Sequence, residues 1–164
     1  MARCIIAGVI ATYVLAVVQT TVGAAIAISG VSPDLLLVWT ITIGLLSGPY
    51  TGGLVGFAAG MLQGALFQTW IGAYAFSKTL SGFAAGLLAT KMFKENLLVP
   101  AISAALLTVG NEGVFLLFAR GADLHQAGRV IGLRALYHAV LTPIAFALTR
   151  RARRAFLGER EGAL

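Results

Sequence analysis

Long apolar runs separated by short polar interruptions dominate this chain. The first run, from Cys4 to Ile28, ends in ISGVSPD, where Ser29, Gly30, Ser32 and Pro33 supply turn chemistry. A second run, DLLLVWTITIGLLS, opens at Pro33 and Asp34. Proline suits the start of a helix, and an acid beside it is favoured by the helix dipole. That run breaks at SGPYTGG, a third follows, a fourth starts near Ile71, and KMFKEN interrupts the apolar sequence before the fifth. The sixth run carries Pro143, which predicts a kink. The pattern therefore predicts six helices, at about 4–28, 34–48, 50–67, 71–90, 97–119 and 129–149. They are expected to form one bundle over 1–154, followed by a short tail at 155–164. Roughly 20 apolar residues cross a bilayer, so the expected fold class is an all-α integral membrane protein with six transmembrane helices in a compact bundle. The second helix is the short one.

Composition supports the same picture. Hydrophobic residues make up 59% of the chain and charged residues 11%, where a soluble domain has roughly 45–50% and 25%. Between Arg3 and Lys91 the only charged residues are Asp34 and Lys78. These figures exclude a soluble globular enzyme, a disordered tail and a coiled coil. The first run is longer than the roughly 7–15 apolar residues of a secretory signal, so it is expected to be a retained helix.

The net charge of +6 does not point to nucleic acid, because the basic residues lie beside apolar runs, where they set topology and meet anionic lipid. With six helices, Arg3, Lys91, Lys94 and the terminal Arg150, Arg151, Arg153, Arg154 and Arg160 fall on one side, and Arg120, Arg129 and Arg134 towards the other. The positive-inside rule then predicts cytoplasmic termini.

Two constellations are candidates for function. Gly52, Gly56, Gly60 and Gly64 recur every four residues along the third helix. This spacing makes a smooth ridge on which another helix can approach closely. The ridge serves either packing within the bundle or docking of a partner's helix. Gly82 and Gly86 form a shorter ridge on the fourth helix.

The second constellation is ionisable. Counting 1.5 Å per residue places Lys78 and Glu112 roughly 10 Å from the outer face, and Arg134 and His138 roughly 7 and 13 Å from it. Charge at such depth is costly unless paired or wet. Lys78, Asn111, Glu112, Arg134 and His138 thus form an expected intramembrane polar cluster, with a direct Lys78–Glu112 pair its first expectation. Holding the bundle together, recognising a partner or substrate, and conducting a proton or ion are the three roles open to it.

Enzyme chemistry finds no support. There is no HExxH, and neither His125, with Asp123 two residues before it, nor His138 stands in a metal-ligand or catalytic spacing. The single cysteine, Cys4, allows neither an intrachain disulfide nor a cysteine zinc cluster. The Gly30-Val31-Ser32 segment lies in a loop immediately before Pro33, a position that argues against a serine nucleophile, which would need a water-filled cavity beside a histidine. No catalytic residue, cofactor or metal is expected.

The runs VVQTT, SPDLLLV, SGPYTGGLVGFAAGMLQGAL, AYAFSKTLSGFAAGLL, NEGVFLLF and RALYHAVLTPIAFALTRRARR follow one another in an order that resembles the MreD family. These are small multi-pass rod-shape-determining proteins of the bacterial cytoplasmic membrane. Two departures stand out: Gly64 occupies a position after MLQ where the family commonly has an acid, and His138 one where it often has Asn. The resemblance implies a non-enzymatic scaffold of the cell-elongation complex. Its partners would be MreC, membrane lipids and, indirectly, MreB, RodA and a class B penicillin-binding transpeptidase. The family's bundle is also similar to the S components of energy-coupling-factor transporters, which implies a vitamin-binding subunit as the alternative. Such subunits use small-residue spacings like Ala7-x-x-x-Ala11.

Overall fold

The computed structural model describes residues 2–23, 25, 27, 29–91, 98–118 and 124–161. They form six helices: α1 (Ala2–Val22), α2 (Leu35–Ser47), α3 (Pro49–Phe67), α4 (Ile71–Lys91), α5 (Leu98–Phe118) and α6 (Leu124–Glu161). Of these, Leu98–Phe118 and the Ala127–Ala155 stretch of α6 are long and apolar enough to cross a membrane by length and composition. Lys94 and Arg120, and the side chains of Arg3, Cys4, Lys91, His125 and Arg160, lie outside the described residues.

Three helix ends differ from the hydropathy pattern, the first being the start of α6, at Leu124 and not near 129. α1 stops at Val22, with the Gly23 amide donating to the Gln19 carbonyl in its last turn, although apolar residues continue to Ile28. At the other end, α6 runs on to Glu161, through the segment expected as a tail. Arg, Ala and Leu are strong helix formers, and no Gly or Pro interrupts 144–157. Hydropathy marks where a chain stops being apolar, not where its helix stops. Pro143 lies inside α6.

The short helix is the central one. α2 has 13 residues and is about 20 Å long, yet it touches every other helix. Leu36, Leu37, Val38, Thr40, Ile41, Thr42, Gly44 and Leu45 are all buried on it. Leu37, Ile41 and Leu45 pack with Ala85, Ala89 and Phe146, while Leu36 meets Ala16 and Ala59. The Trp39 indole N–H donates to Thr12 Oγ1 at 3.0 Å and ties α1 to this centre. At the far end Arg153 donates to the Leu46 carbonyl at 2.8 Å, so α6 closes the C-terminus of α2. Gly48, at φ +92°, then reverses the chain and Pro49 opens α3.

α3 and α4 make the most extensive helix pair, and glycine is the reason. A Cβ on Gly52 would strike the Gly82 carbonyl, one on Gly56 the Lys78 carbonyl, and one on Gly60 the Tyr74 carbonyl. A Cβ on Gly64 would come 2.5 Å from Ile71 Cα. All four ridge glycines are buried. The ridge therefore lies antiparallel along α4 in backbone contact and leaves no space there for a partner's helix. This removes it as a docking face. Any side chain at 64 would force α3 and α4 apart.

Candidate functional site

The polar residues converge where α2 begins. α2 starts level with Gln63, one turn (~6 Å) before the end of α3 at Phe67. A helix start inside a bundle must find partners for its free N–H groups, and here each partner comes from a different element. Asp34 is the N-cap: its Oδ1 accepts from the Leu37 amide at 2.9 Å. Gln19 of α1 accepts from the Leu36 amide at 3.1 Å. The Asp34 amide donates to His138 Nε2 of α6 at 2.9 Å.

That last bond determines the histidine's state. Nε2 accepts, so the ring proton sits on Nδ1, where Thr108 Oγ1 lies 2.7 Å away. Thr108 donates onward to the Ala104 carbonyl at 2.6 Å. His138 is accordingly a neutral, fully buried link between α2, α5 and α6.

The charges pair differently from expectation. Lys78 does not reach Glu112; its Nζ meets Asp34 Oδ2 at 2.5 Å. Arg134 Nη1 meets Glu112 Oε1 at 2.8 Å. Lys78 is 0% exposed, whereas the Arg134 side chain is 30% exposed. The two ion pairs thus occupy different environments. Gln63 Nε2 also donates to Asp34 Oδ2, at 3.2 Å, and the Lys78 ammonium lies 5.6 Å from the centre of the Tyr74 ring. Asn111 is buried, with Ser81 Oγ 3.5 Å from its Oδ1. Helix depth along the sequence brings Lys78, Glu112, Arg134 and His138 to one level but does not show which partner each faces. Asp34 was legible as a helix start and not as the carboxylate for Lys78. The signal was present, because these two are the only charges between Arg3 and Lys91. Gln63 and Gln19 carry no such signal.

Above this floor lies a cavity of about 630 Å³, walled by Phe67, Tyr74 and Phe115 and reached by Asp34, Gln63 and Arg134. It lies over the start of α2, at Pro33 and Asp34. Among the described residues, no three His, Cys, Asp or Glu side chains are grouped to hold a metal ion.

The family model of the rod shape-determining protein MreD matches residues 2–151, almost the whole helical bundle. The chain belongs to the MreD family. No curated protein and no solved structure matches it. MreD proteins are membrane proteins of the rod-shape system, and the buried charges of this member now have partners. Both the glycine-packed α3–α4 pair and the Asp34 hub fall within the matched region.

Proposed function

We propose that this MreD protein is a non-enzymatic scaffold of the cell-elongation complex, which binds MreC and helps to organise peptidoglycan synthesis. MreB, RodA and a class B penicillin-binding transpeptidase are then reached indirectly. The observation that carries the reading is the family match over 2–151. Its physical support is a bundle whose polar groups are turned inward in ion pairs, while Leu54, Phe57, Leu106, Leu117, Leu136 and Val140 are exposed outward. Such a surface suits lipid.

In this reading the bundle over 1–154 crosses the bacterial cytoplasmic membrane six times, with both termini inside. Arg150, Arg151 and Arg154 then lie at the inner leaflet, each worth ~1 kcal/mol near anionic lipid. Lys78, Glu112, Arg134, His138 and Asn111 hold the helices together with Asp34. The ridge being occupied by α4, contact with MreC falls to the outer ends of the helices. The test is copurification of MreC with the detergent-solubilised protein, together with depletion in cells, where rods are expected to become spheres. Depleted cells that stay rod-shaped and a preparation without MreC would overturn the proposal.

A further inference from the structure

The arginines that follow the apolar stretch of α6 are not all used alike. Arg153 turns to α2 and donates to the Leu46 carbonyl at 2.8 Å. Arg150, Arg151 and Arg154 instead line, with Phe146 and Ala147, a hollow of about 200 Å³. We propose that this hollow is a discrete site for the phosphate of an anionic lipid headgroup. It rests on the membrane reading, which puts this end of α6 among headgroups, but on neither MreC nor the choice of leaflet.

Helix geometry makes the hollow. At about 100° per residue the three arginines span an arc of roughly 100° on α6, and Ala147, one turn earlier, falls inside that arc. Its methyl group leaves open the space between the longer side chains. Phe146, packed in the core with Leu37, Ile41 and Leu45, supplies a fixed apolar wall. The volume is below the roughly 300–1,000 Å³ of sites that enclose a small organic molecule, so it admits one compact group.

Charge gives that group its sign. Among the described residues no acid lines the hollow. The carboxylates of Asp34 and Glu112 are held by Lys78 and Arg134, near the opposite end of α2 and about 20 Å away. Arg151 and Arg154 are exposed, and guanidinium groups offer paired N–H donors that match phosphate oxygens. The same arc of α6 carries Leu136 and Val140, 68% and 64% exposed, about 16 and 10 Å from Ala147 along the helix. They give an acyl chain a path beside its headgroup, which favours a lipid over a soluble phosphate.

The experiment is native mass spectrometry of the full chain in detergent with phosphatidate, phosphatidylglycerol and phosphatidylcholine of identical acyl chains. One phosphatidate is expected per chain, retained about tenfold or more above phosphatidylcholine, with phosphatidylglycerol between them. Arg154→Gln and Arg153→Gln each remove one charge, but only the first alters the hollow. Phosphatidate retention is expected to fall about fivefold in Arg154→Gln and less than about twofold in Arg153→Gln. Ala147→Leu keeps every charge and fills the hollow, and should lose as much as Arg154→Gln. Thermal midpoints report that each variant is folded. Equal retention of the three lipids, equal losses from the two arginine variants, or full retention in folded Ala147→Leu would show diffuse attraction and overturn the site. Displacement of bound phosphatidate by an equal concentration of glycerol 3-phosphate would overturn the lipid as its occupant. A chain that stayed monodisperse without detergent would overturn the membrane reading itself, a failure distinct from these.

Discussion

Replacing Lys78 by methionine removes a cation from the centre of the bundle and leaves Asp34 facing an uncharged side chain. The two are of similar length and volume, so the packing change is small and electrostatics dominates. Lys78 is 0% exposed and the Asp34 side chain 6%. Breaking a pair buried to this degree costs about 3–5 kcal/mol, because the remaining charge is unmatched. For a chain of this size such a loss lowers the thermal midpoint by about 6–20 °C. Asp34→Asn should do comparable harm from the other side. Asparagine caps a helix as well as aspartate, so α2 keeps its first turn, but Lys78 loses its carboxylate while Glu112 is held by Arg134. The double variant carries neither charge. Its midpoint is expected to recover most of the loss, giving a coupling of about 2 kcal/mol or more. The assay is the midpoint of each of the four proteins in one detergent, followed by far-UV circular dichroism. A double variant whose loss equals the two single losses combined would refute the pairing as the source of stability.

The second pair should matter less. Glu112→Ala removes a partner from an Arg134 that is 30% exposed to the cavity, and its midpoint should fall by no more than half as much as that of Lys78→Met in the same assay. Gly56→Ala drives a Cβ into the Lys78 carbonyl, which cannot move aside, at about 1–3 kcal/mol. Gly72→Ala meets nothing within 4 Å and should leave the midpoint unchanged or slightly raised. His138→Leu strands the Asp34 amide and the Thr108 hydroxyl contact at about 1–3 kcal/mol. Faster hydrogen exchange at the Asp34 amide is its specific readout.

The helices were legible from apolar runs and their breaks because turn chemistry at SGVSPD and SGPYTGG interrupts them locally. Helix limits were less legible. α1 ends while the sequence is still apolar and α6 continues after it has become basic, since propensity and solvent preference are separate properties. The ridge was visible as spacing alone, and its neighbour was not. Spacing gives a face of α3, but only the packing reveals that α4 fills it. Depth counting brought Lys78, Glu112, Arg134 and His138 together, and mispaired them because rotation about each helix axis was unconstrained. The start of α2 supplies the missing constraint: its Asp34 takes Lys78 and leaves Glu112 to Arg134.

The two constellations are complementary in what they specify. A ridge of glycines at intervals of four looks nearly the same after α4 slides by one turn, about 5.4 Å. The α3 ridge alone therefore allows close approach without selecting a register, and on α4 Gly82 and Gly86 narrow the choice, since a Cβ on either would strike Gly52 or Pro49. The Asp34–Lys78 pair has no such periodicity. A slide of one turn would carry Lys78 away from the single carboxylate on α2 and would separate Gln63, on α3, from the shared Asp34 oxygen only if α2 moved as well. The charges thus reinforce a register that the small residues only narrow, a use of buried polar groups also known from coiled-coil registers. The Asp34→Asn/Lys78→Met protein separates the two contributions, since it keeps the ridge and loses the discriminating pair. It is expected to recover its midpoint and yet populate more than one register, seen as doubled amide resonances along α4. A single sharp set of resonances would show that packing alone selects the register.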